Sequence, residues 1–131
     1  YGNNNRTNTV RIPLLGQRVE IRSADSSCNP YLGIALALAA GLEGIENDLD
    51  PLEPHVDNMY EKSEAELKAE GVTWLPRTLD QALDALDGDP LGRAVMGDAM
   101  YESWMAYKRD EWKSYLNHVS DWEKERYLKF F

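Results

Sequence analysis

The feature that most constrains the fold is an apolar run from Leu32 to Leu42, in which glycine and alanine are interspersed with larger aliphatic residues. Asn29 followed by Pro30 is a helix start signal, because asparagine caps a helix and proline fits its first position, where no N–H is needed. Apolar residues cover most of the circumference of this predicted helix, which runs to about Asn47. We therefore expect a buried helix that packs closely against a sheet.

Two segments upstream of this helix read as short strands. Residues 9–14 and 18–23 are joined by a tight connection, which predicts a β-hairpin. Residues 1–8 are mostly turn-forming and predict a loop. Residues 18–22 alternate strictly, so their charged side chains share one strand face: Arg18, Glu20 and Arg22.

The rest of the chain reads as helices. Residues 48–72 are polar and acidic, and predict a surface segment with one short helix after the capping box Ser63–Glu66. Further helices are predicted after Thr78, from about 98 to 117, and after Ser120. The fold class is α+β and mainly α, in one domain over residues 1–131: a hairpin at about 9–23 packed on five or six helices at about 29–131.

The longest predicted helix carries aromatic residues at helical spacing. We expect this stripe to face the core rather than to bind a cofactor. Its members are Met100, Trp104, Tyr107, Glu111, Trp112 and Tyr115.

Charge and cysteine content exclude several classes of partner. The net charge of −9 argues against nucleic acid and anionic membranes, which both attract basic patches. The single cysteine, Cys28, excludes an internal disulfide and is typical of a reducing compartment, so we expect a cytoplasmic protein. No signal peptide is visible, and the apolar run is too short to span a bilayer.

The chemistry-bearing residues are the arginines. Residues 1–22 hold four arginines and one acidic residue at the head of an otherwise acidic chain, which suggests a locally bound small anion. Guanidinium groups pair with two oxygens of a carboxylate or phosphate at once. Pattern alone leaves open that these arginines only form ion pairs with acidic residues of the same chain. No catalytic triad, zinc signature or glycine-rich phosphate loop is visible.

Three motifs in order resemble the C-terminal catalytic segment of the glutamine synthetases. Residues 5–13 read N-R-T-N-T-V-R-I-P, residues 18–22 read R-V-E-I-R, and residues 25–32 fit D-x-x-x-N-P-Y-L. Residues 40–47, 75–83 and 120–127 resemble later motifs of the family. The resemblance covers nearly the whole chain, and it favours a functional role for the arginines.

The resemblance implies a reaction and a role for each site residue. In the family, ATP phosphorylates the side-chain carboxylate of glutamate, and ammonia then displaces phosphate. Carried over by position, Glu20 binds a catalytic Mg²⁺ or Mn²⁺, and Arg22 holds the carboxylate of glutamate. Arg11 and Arg18 contact ATP, and Arg6 neutralises the phosphoryl group in transit.

Two positions bear on specificity and regulation. Thr7-Asn8 departs from the family's usual small residues, as in relatives that join glutamate to amines such as methylamine, so the acceptor is ammonia or a small amine. Tyr60 stands near where some bacterial members carry a tyrosine modified with AMP, which makes it a candidate regulatory residue. Its other interpretation is an anchor for the surface segment.

The resemblance also implies missing parts. Family members have a separate N-terminal domain and further metal ligands, and they form homo-oligomers. We therefore expect the isolated chain to be inactive. The alternative is a non-catalytic helical interaction module derived from the same fold. An enzyme should direct Arg11, Arg18, Glu20 and Arg22 into one open cleft, whereas an interaction module should bury them in ion pairs.

Overall fold

A computed structural model describes residues 1–130 and divides the chain into two compact units. The first unit spans Tyr1–Leu75 and the second Pro76–Phe131. Each unit is described by itself below. None of the helices within residues 1–130 combines the length and the apolar character needed to cross a membrane.

A three-stranded sheet opens the first unit. Its strands are β1 (Gly2–Asn3), β2 (Val10–Ile12) and β3 (Glu20–Ile21), in the order β1-β2-β3. The antiparallel pairing of β2 with β3 confirms the predicted hairpin, although the strands are shorter than expected. The prediction of a loop over residues 1–8 is wrong at β1, which pairs in parallel with β2. Gly2 is buried in this pairing, and its lack of a side chain permits the close approach.

The predicted apolar helix forms as α1 (Pro30–Glu46), capped by the Asn29 side chain. The expectation that it is buried is wrong: no residue of α1 is buried in the described chain. The three strands of this unit have only two or three residues each. Such a small sheet cannot cover a helix of 17 residues. The exposed side chains follow helical spacing along one face: Tyr31, Ile34, Leu38, Leu42 and Ile45.

The remainder of the first unit follows the sequence prediction. A 3-10 turn spans Met59–Glu61, and α2 spans Glu64–Ala69. The capping box of Ser63 and Glu66 opens α2 as expected. Gly71, with φ +73°, follows the helix in the left-handed conformation that glycine adopts readily.

The second unit is entirely helical where described. It contains α3 (Leu79–Asp87), α4 (Pro90–Met96), α5 (Asp98–Leu116) and α6 (Asp121–Tyr127), followed by a 3-10 turn at Leu128–Phe130. Three of these helices match the predictions, but α4 was not predicted. Its signal was present, because Asp89 caps the helix and Pro90 is its first residue.

The core of the second unit forms where α3, α4 and α5 meet. Leu83, Tyr101 and Met105 are buried there, with Leu86 and Trp104 partly buried against them. The predicted aromatic stripe is therefore misplaced by about one residue. The positions that it assigned to the core include three that are more than half exposed: Met100, Tyr107 and Tyr115.

The shift of the buried face has a local cause in α4. A Cβ at the buried Gly92 would lie 2.5 Å from Leu86 Cδ1 and 3.5 Å from Tyr101 Cε2. Glycine at this position lets α4 approach the Tyr101 ring, so Tyr101 rather than Met100 turns inward. The Tyr101 hydroxyl then donates a hydrogen bond to Asp87 Oδ1 at 2.9 Å.

Candidate functional site

An ion-paired cluster lies on the hairpin. Arg11 Nη1 lies 2.6 Å from Glu20 Oε2, and Arg18 Nη2 lies 3.0 Å from Glu20 Oε1. The cross-strand register puts Arg11 directly opposite Glu20, and the alternation of the strand puts Arg18 on the same face. Glu20 therefore bridges two guanidinium groups, one oxygen to each.

The turn of the hairpin holds Arg18 in place. Gly16 has φ +90°, and a Cβ there would lie only 2.7 Å from Arg18 Nη1. The same Nη1 donates to the carbonyl oxygen of Leu15 at 2.9 Å. The positive φ at position 16 favours glycine, and the guanidinium of Arg18 lies over the space that the absent side chain leaves.

The electrostatics of this cluster favour bound anions. The hydrogen bond from Arg11 is the main cause that lowers the pKa of Glu20, and Arg18 adds to it against partial desolvation. Among the described residues, the buried Nε of Arg11 has no hydrogen-bond partner. Two guanidiniums share one carboxylate, which leaves a net positive cluster that attracts an anion.

A separate cleft is built around Arg6 and Arg22. It has a volume of about 160 Å³ and is open to solvent. Arg22 Nε donates to the carbonyl oxygen of Arg6 at 3.2 Å, and the Arg22 N–H donates to Thr9 O, which continues the hairpin ladder. The lining residues are Arg6, Thr7, Asn8, Thr9, Arg22, Ser23, Tyr60 and Leu75.

No described residue neutralises the guanidinium groups of this cleft. Neither Arg6 nor Arg22 has an ion pair within residues 1–130, and both are exposed. Two cations on one small concave surface attract a carboxylate or phosphate. Tyr60, with 78% of its surface exposed, stands at the same cleft.

Asparagine and threonine side chains hold the turn that carries Arg6. Asn5 and Asn8 both donate to the carbonyl oxygen of His55, at 3.0 and 3.1 Å, and Thr7 Oγ1 accepts from Met59 N at 3.2 Å. The sequence analysis connected Thr7 and Asn8 only with the choice of acceptor, and it assigned none of these side chains a structural role. The signal that could have found them is the run of short polar residues around Arg6, which favours side-chain to backbone hydrogen bonds.

The structure thus divides the predicted site residues into two groups. Arg11, Arg18 and Glu20 form the ion-paired cluster, whereas Arg6 and Arg22 line the cleft together with Tyr60. The arrangement expected for an enzyme, with all four charged residues in one cleft, is not found among the described residues, because only Arg22 of the four lines this cleft. Glu20 is held in ion pairs, as expected of an interaction module. The roles that the resemblance assigned to these residues stay predictions.

The hairpin offers few ligands to a divalent cation. Within residues 1–130, no three acidic, histidine or cysteine side chains come together as metal ligands. Glu20 supplies one carboxylate, half-exposed and beside the cluster of guanidiniums. Magnesium is often held by one or two carboxylates together with substrate phosphates. Glu20 fits one such ligand position, and the remaining protein ligands would have to come from outside these residues.

Comparison with known proteins places the chain in a family. The family model described as the glutamine synthetase catalytic domain matches residues 1–127. The chain belongs to this family.

Curated members with similar sequences include two kinds of ligase. The chain is 47% identical over 131 residues to a glutamate–methylamine ligase of Methyloversatilis universalis, a match that covers 100% of the chain and 29% of the relative. It is 39% identical over 132 residues to a glutamine synthetase of Methanococcus maripaludis, covering 98% of the chain and 30% of the relative. The chain therefore spans less than a third of the length of these glutamine synthetase family members.

A solved structure supports the fold. The structure described as "Apo GmaS without ligand" matches with a TM-score of 0.82 and 39% sequence identity, over 98% of the chain and 29% of that chain. The mainly helical α+β architecture is thus also found in that solved structure.

Proposed function

We propose that this chain provides one wall of the active site of an ATP-dependent ligase that joins glutamate to ammonia or a small amine. The observation that carries the proposal is the hairpin, which presents an arginine cleft and an arginine–glutamate cluster in a chain of the glutamine synthetase family. The cleft is the glutamate side and the cluster is the nucleotide side.

The reaction needs the chemistry that these residues offer. Transfer of the γ-phosphoryl group of ATP to the glutamate side-chain carboxylate gives an acyl phosphate, which the amine attacks with release of phosphate. Phosphoryl transfer depends mainly on positioning and on neutralising charge on oxygen, and it needs no protein nucleophile. Arg11 and Arg18 would pair with phosphate oxygens of ATP, and Arg6 would neutralise the group in transfer.

The remaining two residues, Arg22 and Glu20, would bind glutamate and the metal. Arg22, on the open cleft without an ion pair in the described chain, would bind a glutamate carboxylate through its guanidinium fork. Glu20 would provide one carboxylate ligand to Mg²⁺ or Mn²⁺, a cation that offsets phosphate charge when bound. The hydrogen bond from Arg11, with a smaller contribution from Arg18, lowers the pKa of Glu20, which favours the ionised carboxylate that a metal ligand must be.

Methylamine is the acceptor that the comparisons favour. Identity to the glutamate–methylamine ligase is 47%, against 39% to 41% for several glutamine synthetases. Thr7 and Asn8, the two positions that depart from the family's usual residues, both line the cleft beside Arg6. Ammonia is the alternative acceptor.

Because the chain spans less than a third of its relatives, the test uses a chimera. This chain would replace the homologous segment of the Methyloversatilis universalis ligase, and phosphate release would be measured with glutamate, ATP, Mg²⁺ and a panel of amines. We expect activity that is highest with methylamine. In the chimera, Glu20→Ala and Arg22→Ala should each lower kcat/KM by roughly 10²–10³, the usual effect of losing one charge-stabilising group. Unchanged rates in both variants would refute the site assignment.

The isolated chain should be inactive. It carries one acidic residue at the site and no assembled metal cluster among its described residues. Incubation of the 131-residue polypeptide with glutamate, ATP, Mg²⁺ and amine should give no γ-glutamyl amide by mass spectrometry. Detectable product would contradict this expectation and the view that the site needs other walls.

Tyr60 is the proposed point of covalent control. Its side chain is exposed and borders the cleft, so an AMP group on its hydroxyl would occupy the entrance beside Arg6. Tyr60→Phe in the chimera should leave activity intact and remove any modification by a nucleotidyltransferase. Modification that persists in Tyr60→Phe would place it on another residue.

Two observations favour the second function, a non-catalytic interaction module. Glu20 is held by Arg11 and Arg18, and the apolar face of α1 is exposed. A chimera that folds and binds neither ATP nor glutamate would support this function over the ligase.

A further inference from the structure

The side chain of Asn5 joins two distant segments of the first unit. Its Nδ2 donates to the carbonyl oxygens of His55 and Asp57 at 3.0 and 2.7 Å. Its Oδ1 accepts from the backbone N–H and from the hydroxyl of Thr7 at 2.9 and 2.8 Å. A carboxamide offers two N–H donors and one acceptor oxygen with two lone pairs. The full hydrogen-bonding capacity of this side chain is therefore used.

Arg6 lies between the two residues that carry these bonds. Asn5 is tied to residues 55–57, and the hydroxyl of Thr7 accepts from the N–H of the buried Met59. Hydrogen bonds of the residues before and after Arg6 therefore fix its backbone. Because the Arg6 carbonyl oxygen accepts from Arg22 Nε, the position of the Arg22 guanidinium depends on this pinned turn.

Close packing at Gly2 leaves little room for the turn to shift. A Cβ at Gly2 would lie 2.6 Å from His55 O and 2.7 Å from Asn5 Cβ. The backbone of His55 also donates to Tyr1 O at 2.8 Å. Residues 1–8 and 55–59 thus contact each other through both backbone and side chains, with Asn5 at the centre.

We propose that Asn5 is the positioning residue of the arginine cleft. It fixes the Arg6 turn against residues 55–59, and through the Arg6 carbonyl it holds the Arg22 guanidinium ready for a carboxylate. The identity of that carboxylate rests on the proposed function, but the positioning is a property of the chain without ligand. Preorganised groups bind and stabilise charge better because they need not be ordered at the moment of binding.

The test follows the arginine Nε–H groups of the 131-residue chain by NMR. We expect Asn5→Ala to speed hydrogen exchange of the Arg22 Nε–H by about tenfold, roughly the net contribution of one hydrogen bond. The Nε–H of Arg18, which is held by Glu20, should keep its exchange rate. This internal reference separates a local loss of order from general unfolding.

Two further variants complete the experiment. Asn58→Ala is the matched control, because the Asn58 side chain bonds only to Tyr60 and Glu61 in the described chain and should leave Arg22 unchanged. Asn5→Asp keeps the acceptor for Thr7 but lacks both donors to residues 55 and 57, so it should also mobilise Arg22. It serves in place of Asn5→Ala if that variant does not fold.

The outcomes separate this proposal from the proposed function. If Arg22 exchange stays unchanged in both Asn5 variants while the amides of residues 55–59 lose protection, Asn5 only tethers the loop and the proposal is overturned. In the chimera, Asn5→Ala should raise the KM for glutamate about tenfold with a smaller change in kcat. A chimera without ligase activity would contradict the proposed function and leave the NMR result standing.

Discussion

The two units of the chain are stabilised by different kinds of interaction. The second unit has a buried apolar cluster of Leu83, Tyr101 and Met105. The first unit buries only two large apolar side chains, Met59 and Leu67, and is tied together by polar side chains that bond to backbone 47 to 52 residues away. The proposed site lies wholly in the first unit. The difference shows that long-range polar bonds order the first unit, whereas an apolar core stabilises the second.

A cavity in the core of the second unit should cause the largest loss of stability. Leu83 is 3% exposed, so Leu83→Ala should lower the free energy of unfolding of this unit by roughly 2–5 kcal/mol. Hydrogen exchange of the α5 backbone amides at increasing urea concentrations measures this free energy. The control is Leu42→Ala in the first unit, where Leu42 is 58% exposed and the change should stay within about 0.5 kcal/mol. Equal effects would break the distinction between the units.

A smaller effect is expected from one polar link of the first unit. Thr7→Val removes the acceptor of the Met59 N–H and leaves that donor without a partner, at a cost of about 1–3 kcal/mol. Exchange of the Met59 amide is the readout. Thr9→Val is the matched control, since Thr9 is exposed and its described bond uses only the backbone. If Thr7→Val is as mild as Thr9→Val, the polar links do not hold this unit together.

The smallest expected effect is a pH dependence of the stability of the first unit. Hydrogen bonds from Lys62 to Glu70 first, and then to Asp57, raise the pKa of Lys62 above its ordinary value. The stabilisation is fully present below the unfolded pKa and is lost as pH rises through the folded pKa. Urea unfolding across this alkaline range should show the loss, and Lys62→Met should abolish it. Lys113→Met, in the second unit, should leave it in place; an unchanged slope in Lys62→Met would refute the assignment.

The fold could be predicted from local signals where one residue decides the structure. Caps at Asn29, Ser63 and Ser120 marked helix starts correctly, and strict alternation marked the hairpin. Burial could not be predicted in the same way. The α1 helix reads as buried because of its composition, but the element that would cover it has to come from elsewhere in the fold, and within residues 1–130 nothing buries it.

The arrangement of the candidate site could likewise be predicted only in part from the sequence. Strand alternation placed Arg18 and Glu20 on one face, and the structure pairs them. The alternation also grouped Arg22 with them, whereas the structure places Arg22 on a cleft with Arg6, a residue 16 positions away. That separation depends on the register of β2 and β3 and on bonds between residues 5–8 and 55–59. Such long-range contacts leave no periodic signal in the sequence.

In the proposed function, the cleft and the ion-paired cluster serve different substrates. The most direct test of this division measures KM for glutamate and for ATP separately, in the chimera and in its Arg22→Ala and Arg18→Ala variants. Arg22→Ala should raise the KM for glutamate by at least about tenfold and leave that for ATP within about twofold, since one charged hydrogen bond contributes about this much. Arg18→Ala should do the reverse. Equal changes in both constants for both variants would contradict the division of the site.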